Sequence, residues 1–198
     1  MTLAKRMGRG LAAALLLLAA AFASMVRITI NAPAPSAAPA TAESPAAPPA
    51  TQAGDRVPLI IPVQGVQPRQ LSDTWGQSRG GGQREHHAID IMAPKGTPVL
   101  AAASGTVEKI FESVNGGHTI YVRTRDGATI HYYAHLDTYL VAEKEAVRQG
   151  EPIATVGNTG SAAGGAPHLH FEIKTMLPGE GWWQGTNVNP YPLLRAIR

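Results

Sequence analysis

The segment Ala166–Ile173 brings together side chains that could hold a metal ion. His168 and His170 are separated by one residue. Because side chains alternate along a strand, both imidazoles share one face with Glu172 if this segment is a strand. The opposite face is then apolar and faces the core, and it consists of Leu169, Phe171 and Ile173. Two histidines on a rigid element are a natural start for a zinc site, because neutral imidazole nitrogen suits that ion.

A second pair of candidate ligands, His86 and Asp90, lies about eighty residues upstream. The chain has no cysteine, so a metal must take its ligands from histidine and carboxylate side chains. A catalytic zinc site uses three protein ligands and keeps one position open for water. Zinc lowers the pKa of such a water to roughly 7 and polarises carbonyl groups, which is chemistry suited to hydrolysis. The spacing leaves open whether His168 or His170 completes the site, since both project from one face.

All seven histidines fall between His86 and His170. A single histidine is more often a surface or core residue than a ligand, but two ligand motifs in one domain without cysteine favour a metal site. His131 is not expected to take part in it. At about 3.3 Å per residue it lies about 13 Å along a strand from His135, which is too far for both to bind one small ion.

The elements that must position these residues are predicted to be strands. From Arg56 onward the sequence has short β runs separated by glycine-rich turns and no long stretch of helical period, which predicts an all-β fold. The predicted strands are Pro98–Ala103, Thr106–Glu112, Thr119–Thr124, Ala128–His135, Pro152–Val156 and His168–Ile173. One short helix is predicted near the C-terminus, at Pro192–Ile197.

Asp126 and Gly127 are a turn signal between two of these strands, and they predict a β-hairpin. Strict alternation along the second strand of the hairpin divides its side chains between two faces. One face is predicted to hold Ile130, Tyr132 and Ala134. The other is predicted to hold His131, Tyr133 and His135.

Residues 1–30 are predicted to be an export signal or an N-terminal membrane anchor. Three basic residues precede an apolar run from Gly10 to Val26, which is the layout of a signal peptide, and Ala21-Phe22-Ala23 is a candidate cleavage site. The run is also close to the lower limit of roughly 17 residues for a membrane-spanning helix. Arg27 follows it directly, so an uncleaved anchor in the inner membrane is the alternative. Both readings predict a periplasmic or other extracytoplasmic location for the rest of the chain.

Residues 31–55 are predicted to be a disordered linker, because alanine and proline dominate them and aromatic residues are absent. Six prolines favour extended polyproline geometry, which gives a semi-rigid spacer of about 70 Å at about 3.1 Å per residue. The folded domain is then expected to comprise residues 56–198.

The sequence pI of 9.4 does not make this chain a nucleic-acid binder. Four of the 17 basic residues precede Arg56, and the folded part has 13 basic against 12 acidic residues. A nucleic-acid-binding domain concentrates basic residues on one face, so nucleic acid is discounted as a partner.

Three motifs follow one another in the folded part. They are Arg84-Glu85-His86-His87-Ala88-Ile89-Asp90-Ile91, then Tyr133-Ala134-His135-Leu136, then Gly157-Asn158-Thr159-Gly160 leading to His168-Leu169-His170-Phe171-Glu172. In order and spacing they resemble the lysostaphin/LytM-type zinc endopeptidases, and the resemblance extends from about Trp75 to Pro190. It implies a compact antiparallel β sandwich or barrel-like domain with a groove, and cleavage of peptide bonds in peptidoglycan.

The resemblance also implies a role for each candidate residue. Three residues would bind Zn²⁺, namely His86, Asp90 and His170. Two others would act on the water and on the transition state, namely His135 and His168. Ala88 departs from the family, which usually has glycine there, and glycine can adopt backbone angles that alanine resists. We expect an adjustment of the backbone at Ala88 rather than loss of the site.

Several residues near these motifs have two interpretations. Glu172 is expected either to orient one of the site histidines or to be a solvated strand residue. His87 is favoured as a surface or supporting residue over a ligand. Tyr133 and Trp182–Trp183 are expected either to line a substrate groove or to pack in the core or at its rim. Gly80–Gly82 predicts a mobile loop that enters the site.

These expectations favour a monomeric, secreted or membrane-tethered zinc endopeptidase that hydrolyses the cross-linking peptides of peptidoglycan. The alternative is a catalytically inactive module of the same fold that binds the cell wall and activates another hydrolase, although such a module is expected to lack at least one of the five site residues. A nonpeptidic zinc hydrolase would share the ligands but not the motif Tyr133–Leu136. The sequence does not specify whether a glycyl bridge or a D-Ala-containing cross-link is cut.

Overall fold

The computed structural model describes residues 58–197. The N-terminal segment and the linker expected at residues 1–30 and 31–55 lie outside these residues. Within residues 58–197, no helix is long and apolar enough to span a membrane.

The described residues form eleven strands, two 3-10 turns and one short α-helix. The strands are β1 (Ser78–Arg79), β2 (Arg84–Glu85), β3 (Ile89–Met92), β4 (Pro98–Leu100), β5 (Gly105–Ser113), β6 (Gly117–Thr124), β7 (Thr129–Tyr139), β8 (Ala146–Val147), β9 (Pro152–Val156), β10 (His168–Thr175) and β11 (Thr186–Val188). The 3-10 turns are Pro68–Gln70 and Gly160–Ala162, and the helix α1 is Pro190–Arg195. The all-β prediction is confirmed.

The strands form one nine-stranded antiparallel sheet and a separate hairpin of β1 and β2. The main path through the large sheet is β11-β10-β7-β6-β5-β8, while β3 pairs with β10, and β9 joins β4 to β7. Strand β10 therefore has β7 on one side and β3 and β11 on the other. The central position of β10 makes it the element on which residues from distant parts of the chain can meet.

Strand β10 shows the alternation that its sequence predicts. Leu169, Phe171 and Ile173 are buried in the core, whereas the polar residues that alternate with them, His168, His170 and Glu172, are partly exposed on the other face. Burial of an apolar side chain of this size contributes about 1.5–3 kcal/mol. The core face thus fixes the orientation of the strand, and the polar face is left for chemistry.

The hairpin of β6 and β7 is also confirmed. Its turn is closed by a hydrogen bond of 2.9 Å from the Gly127 N–H to the Thr124 carbonyl, and Gly127 has a φ of +72°. Asp126 Oδ1 accepts a hydrogen bond of 3.0 Å from the Ala128 N–H. The Asp-Gly pair therefore makes the turn for the reasons that predict it: a side-chain acceptor and a residue that tolerates a left-handed backbone.

The predicted alternation along β7 is wrong at His135. His131 and Tyr133 are buried, as the alternation requires, but His135 lines the same cavity as Tyr132 and Ala134. His135 has a φ of +59°, in the left-handed region that only a small fraction of non-glycine residues adopts. The pairing of β7 with β6 also changes register near this residue, between His118 and Ile120. A single left-handed residue thus breaks the period of two.

Other predicted boundaries differ in smaller ways. The predicted strand Pro98–Ala103 ends at Leu100, because the pairing of β4 with β9 is irregular between Val99 and Leu100. The C-terminal helix begins at Pro190, two residues before the predicted start, because the Asn189 side chain accepts a hydrogen bond from the Tyr191 N–H and proline suits the first helical turn. Five short strands are not predicted from the sequence, namely β1, β2, β3, β8 and β11.

Candidate metal centre

The pairing of β3 with β10 brings two candidate ligands together. Asp90 lies directly opposite His170 in the antiparallel register, so their side chains share the polar face of the sheet. His86 precedes β3 and joins them. His86 Nε2 lies 3.0 Å from His170 Nδ1 and 3.1 Å from Asp90 Oδ1. His170 Nδ1 and Asp90 Oδ1 are 3.3 Å apart. The three residues expected to bind zinc therefore converge on one point.

The environment of His86 determines which of its nitrogens carries the proton. Its Nδ1 lies 2.7 Å from the Thr74 carbonyl, which can only accept a hydrogen bond, so Nδ1 carries the hydrogen. Arg79 also approaches Nδ1, at 3.3 Å, but the shorter contact decides the tautomer. In neutral His86 the lone pair is then on Nε2, the atom that faces Asp90 and His170. His86 is almost fully buried, with 4% of its surface exposed.

His170 is oriented in the opposite sense by Glu172. Its Nε2 lies 3.1 Å from Glu172 Oε1, so Nε2 carries the hydrogen and the neutral ring has its lone pair on Nδ1. The Asn187 side-chain amide donates a hydrogen bond of 2.9 Å to Glu172 Oε2 and holds the carboxylate in place. Of the two interpretations of Glu172, the orienting one is therefore correct. A carboxylate behind a histidine is a common support for a metal ligand.

The geometry of the three ligand atoms fits a zinc ion. Bonds of about 2.0–2.1 Å in a tetrahedral arrangement place neighbouring ligand atoms about 3.3 Å apart. The three separations of 3.0, 3.1 and 3.3 Å are close to this value. The lone pairs of His86 Nε2 and His170 Nδ1 point at each other and at a carboxylate oxygen. This arrangement is repulsive unless a cation or a proton lies between the three atoms.

The charges around Asp90 also favour a cation or a proton between the three ligand atoms. Burial by itself raises the pKa of Asp90, but His170 and His86, which donate hydrogen bonds to the carboxylate when their facing nitrogens are protonated, outweigh burial and hold the pKa well below its usual range. Burial likewise lowers the pKa of His170, but hydrogen bonds to Asp90 and Glu172 raise it above its usual value. Arg79 Nη2 donates a hydrogen bond of 2.5 Å to Asp90 Oδ2, the carboxylate oxygen that faces away from the histidines. The centre thus favours positive charge at the point where the ligands meet.

His135 in β7 and His168 in β10 stand beside this centre. The ring centroid of His135 lies 5.0 Å from that of His168 and 5.6 Å from that of His170. Burial and the neighbouring His170 lower the pKa of His135 to about 4, so the ring is neutral at neutral pH. His168 Nε2 lies 3.8 Å from Asp90 Oδ1. All five residues expected to form the site are therefore in one cluster.

Backbone carbonyls fix both of these rings. His135 Nδ1 donates to the Thr159 carbonyl at 2.8 Å, and His168 Nδ1 donates to the Ala166 carbonyl at 2.9 Å. In each neutral ring the lone pair is then on Nε2. Two imidazoles with basic Nε2 atoms next to a candidate metal centre are suited to proton transfer, and a ring that has taken up a proton on Nε2 can donate a hydrogen bond to an oxyanion.

The turn Gly157–Gly160 holds the carbonyl that orients His135. The Thr159 hydroxyl donates to the Leu136 carbonyl at 2.8 Å and accepts from the His118 N–H at 3.0 Å. Gly160 has a φ of +66°, and a Cβ on it would lie 2.2 Å from the Gly117 nitrogen. The two chain segments can approach this closely only because both positions are glycine.

Residues 84–190, more than half of the chain, match peptidase family M23. This chain belongs to that family. M23 is a family of zinc metallopeptidases that hydrolyse peptidoglycan, which agrees with the resemblance of the three sequence motifs.

Three relatives show the range of the family. The peptidoglycan DD-endopeptidase ShyC of Vibrio cholerae serotype O1 is 40% identical over 106 residues, which are 54% of this chain and 23% of ShyC. The murein hydrolase activator NlpD of Escherichia coli is 35% identical over 122 residues, 61% of this chain and 28% of NlpD. The catalytic domain of the antimicrobial peptidase lysostaphin from Staphylococcus simulans aligns with a TM-score of 0.54 at 30% identity, covering 64% of this chain and 92% of that domain. This chain spans about a quarter of the length of ShyC and NlpD.

A cavity of about 500 Å³ opens in front of the centre. Its walls come from three parts of the chain: the β1–β2 hairpin, the polar face of β7 and β10, and the turns at Asn115–Gly116 and Ser161–Ala162. This cavity is the groove that the M23 resemblance implies.

Tyr133, Trp182 and Trp183, which are expected from the sequence either to line a groove or to pack against the domain, do not line this cavity. Tyr133 is fully buried, and its hydroxyl accepts a hydrogen bond of 2.9 Å from the Ala102 N–H, so it packs in the core and does not line the groove. Trp182 packs against Phe111 and Tyr121 at the rim of the sheet. Trp183 is 63% exposed beside it. The packing interpretation is correct for Tyr133 and Trp182.

Two of the remaining histidines have supporting or structural positions. His87 lines the cavity and packs against Trp75, with a ring distance of 5.5 Å, but it does not reach the ligand cluster His86–Asp90–His170. His131 is buried against Phe171, and burial lowers its pKa to about 4. Neither residue belongs to the candidate ligand cluster His86–Asp90–His170 among the residues that the structure describes.

Ala88 fits its position without a left-handed backbone. Among the residues that the structure describes, the non-glycine residues with positive φ are His135 and Lys144. Ala88 is fully buried just before β3. Gly80–Gly82 forms the tip of the β1–β2 hairpin with three positive φ values, and the flanking Arg79 and Arg84 line the cavity.

Sequence reasoning missed several residues that support the site. Thr74 contacts two ligands at once, because its carbonyl accepts from His86 and its hydroxyl accepts a hydrogen bond of 2.9 Å from the Asp90 N–H. Backbone carbonyls carry no sequence signal, so the roles of Thr74 and Thr159 could not be predicted. Arg79 had a signal, since the glycine run that follows it predicts a tight turn that could bring its neighbours into a hairpin.

Proposed function

We propose that this chain is a zinc-dependent endopeptidase that hydrolyses peptide cross-links of peptidoglycan in the cell envelope. The observation that supports it best is the convergence of three ligand atoms, from His86, Asp90 and His170, at tetrahedral separations. Membership of M23 supports the same activity. ShyC and lysostaphin, both similar to this chain, are named as an endopeptidase and a peptidase.

In this proposal, His86, Asp90 and His170 hold Zn²⁺. When bound there, the ion would supply Lewis acidity toward the scissile carbonyl and a water of lowered pKa. The supporting residues keep the ligands in the right tautomers. The Thr74 carbonyl accepts a hydrogen bond from His86 Nδ1–H, and the Glu172 carboxylate accepts one from His170 Nε2–H. Such partners raise the affinity of a site by fixing ring orientation before the metal arrives.

The proposed work of His135 and His168 is proton transfer and stabilisation of charge. Because the Nδ1 atom of each ring is bound to a carbonyl, the proton of the attacking water can be accepted only at Nε2. One ring accepts this proton at Nε2, and a ring whose Nε2 has taken up a proton donates a hydrogen bond to the oxyanion that develops on the substrate. Each of these contributions is typically worth about 10²–10⁴-fold in rate.

The second candidate function is that of an activator, and the similarity to the murein hydrolase activator NlpD favours it. An activator needs the fold and a binding surface but no complete catalytic set. In this chain all five site residues are present and clustered. For this reason we place the enzyme first.

We also propose that residues 1–30 export the domain or anchor it in the inner membrane, that residues 31–55 act as a spacer, and that the folded domain acts as a monomer on peptidoglycan peptides. The apolar run and the proline-rich composition support this organisation. Membrane fractionation tests it: an anchored chain sediments with membranes after a salt wash, whereas a cleaved one is released with a new N-terminus near Ser24.

Digestion of purified peptidoglycan tests the function. The zinc-loaded full-length chain is incubated with purified sacculi, and the released fragments are analysed by mass. We expect fragments whose masses show hydrolysis of one type of peptide bond, which also distinguishes a glycyl bridge from a D-Ala-containing cross-link. If no fragments appear, but the chain accelerates a second cell-wall hydrolase, the activator function replaces the enzyme.

A further inference from the structure

One wall of the cavity carries an unusual pair of arginines. Arg79 in β1 lies directly opposite Arg84 in β2, and both side chains line the cavity. Like charges directly opposite each other on neighbouring strands destabilise the pairing. Local features that oppose stability in this way are expected where a protein binds its ligand.

The two arginines differ in what neutralises them. Arg79 donates to Asp90 at 2.5 Å, so its charge is matched within the chain. Lys174, another cation of the cavity, has its Nζ 3.9 Å from Glu172 Oε2. Among the described arginine and lysine residues that line the cavity, Arg84 is the one whose side chain has no ion pair or hydrogen bond to residues 58–197.

The carboxylates of the cavity are already engaged. Asp90 is bound by Arg79 and by the two ligand histidines. Glu172 accepts hydrogen bonds from His170 and Asn187. Glu85, which follows Arg84, has its Oε2 3.6 Å from His87 Nε2. Arg84 is therefore left as a guanidinium that faces the cavity without an anion.

We propose that Arg84, with Arg79 opposite it, forms a subsite for a free carboxylate of the peptide substrate. A guanidinium presents two parallel N–H donors that match the two oxygens of a carboxylate. This inference rests on the proposed peptidase function, and it names the substrate class: peptide cross-links that carry a free carboxylate close to the scissile bond. A neutral oligoglycine bridge has no such group. Arg84 determines specificity in this account and takes no part in the chemical step.

Chemically amidated sacculi test this subsite without knowledge of the bond that is cut. Free carboxylates of purified sacculi are converted to amides with carbodiimide and ammonium chloride, and fragment release is compared with native sacculi. The wild-type full-length chain should cut native sacculi about tenfold or more faster than amidated ones, since one charge-assisted bidentate contact is lost. Arg84→Gln should cut native sacculi about as slowly as wild type cuts amidated ones, and amidation should then have little further effect. Arg84→Lys should keep part of the preference.

Arg69→Gln is the matched control, because Arg69 is exposed, lies in the first 3-10 turn and does not line the cavity. It removes the same charge and should behave as wild type on both substrates. Zinc content and melting temperature are measured for every variant, so that a disturbed hairpin is recognised. The subsite is overturned if Arg84→Gln retains the wild-type ratio of native to amidated cleavage, whether or not both rates fall.

Co-sedimentation with the two kinds of sacculi separates this inference from the proposed function. If the wild type cuts neither substrate, the peptidase function fails. The carboxylate subsite still stands in that case if wild type pellets with native sacculi more than with amidated ones and Arg84→Gln loses this difference. It falls if wild type and Arg84→Gln pellet equally with both.

Discussion

The two walls of the candidate centre are built in different ways. On the ligand wall, Asp90 and His170 lie opposite each other in a regular antiparallel pair of strands, and the core face of β10 fixes their direction. On the other wall, His135 has a left-handed backbone and depends on the Thr159 carbonyl in a glycine-rich turn. Regular strand pairing positions the proposed metal ligands, whereas local irregularity positions a proposed acid–base residue.

Because of this difference, we expect substitutions on the two walls to affect zinc binding and the rate of cleavage separately. Loss of a ligand on the regular wall should remove the metal, because three ligands are the minimum of the site. Loss of a side chain on the irregular wall should leave zinc bound and lower only the rate of cleavage. Damage to the glycine turn should affect the irregular wall alone.

His170→Ala should abolish zinc binding and peptidoglycan cleavage together. It removes one of three ligands and also removes one of the two hydrogen-bond partners of the Glu172 carboxylate. Metal content after zinc loading and gel filtration, measured beside fragment release, checks this. His118→Ala is the control, since His118 lies outside the ligand cluster and should keep about one zinc. A His170→Ala protein that retains stoichiometric zinc contradicts the ligand assignment.

His135→Ala should keep about one zinc per chain while cleavage falls by about 10²–10⁴-fold. The ring contacts the centre only from the side, with its centroid 5.6 Å from that of His170. Metal analysis and initial rates on the same preparation check both parts. Wild-type rates in His135→Ala would show that this wall takes no part in catalysis.

Gly160→Ala should lose about 3 kcal/mol or more of stability, because a left-handed alanine and a backbone clash act together. A Cβ there would lie 2.2 Å from the Gly117 nitrogen. Gly164→Ala is the matched control, since Gly164 has a φ of +79° but nothing within 4 Å of its Cβ position. It should lose only about 1–2 kcal/mol. Denaturant unfolding measures both, and equal losses would mean that the close approach at Gly160 is unimportant.

Glu172→Gln should weaken zinc affinity by about 10–100-fold without abolishing binding. Glutamine keeps the size of the side chain and can still accept from His170, but it removes the negative charge that favours the ligand tautomer. Competition with a zinc chelator measures the affinity, and Glu112→Gln, an exposed change outside the cavity, is the control. Unchanged affinity in Glu172→Gln would mean that the carboxylate does not support the site.

The sequence predicts the regular wall better than the irregular one, for a physical reason. Alternation along β10 follows directly from the residues, because three apolar side chains must be buried and the polar ones between them must face away. Strand β3 is too short to give such a pattern, so its pairing with β10 emerges only in the fold. At His135 the period of two predicts the wrong face. The sequence Tyr133-Ala134-His135-Leu136 contains no signal for a left-handed backbone conformation at the histidine. Its position depends on contacts with a turn that lies 24 residues away.

The central claim is that zinc at His86, Asp90 and His170 makes this chain a peptidase. The most direct measurement is a zinc titration of chelator-treated full-length protein, with fragment release from purified peptidoglycan as the readout. We expect no release from the metal-free protein, a rise with added zinc, and saturation at about one equivalent, as for one three-ligand site. Full activity in the metal-free protein, or no release at any zinc concentration, would contradict it.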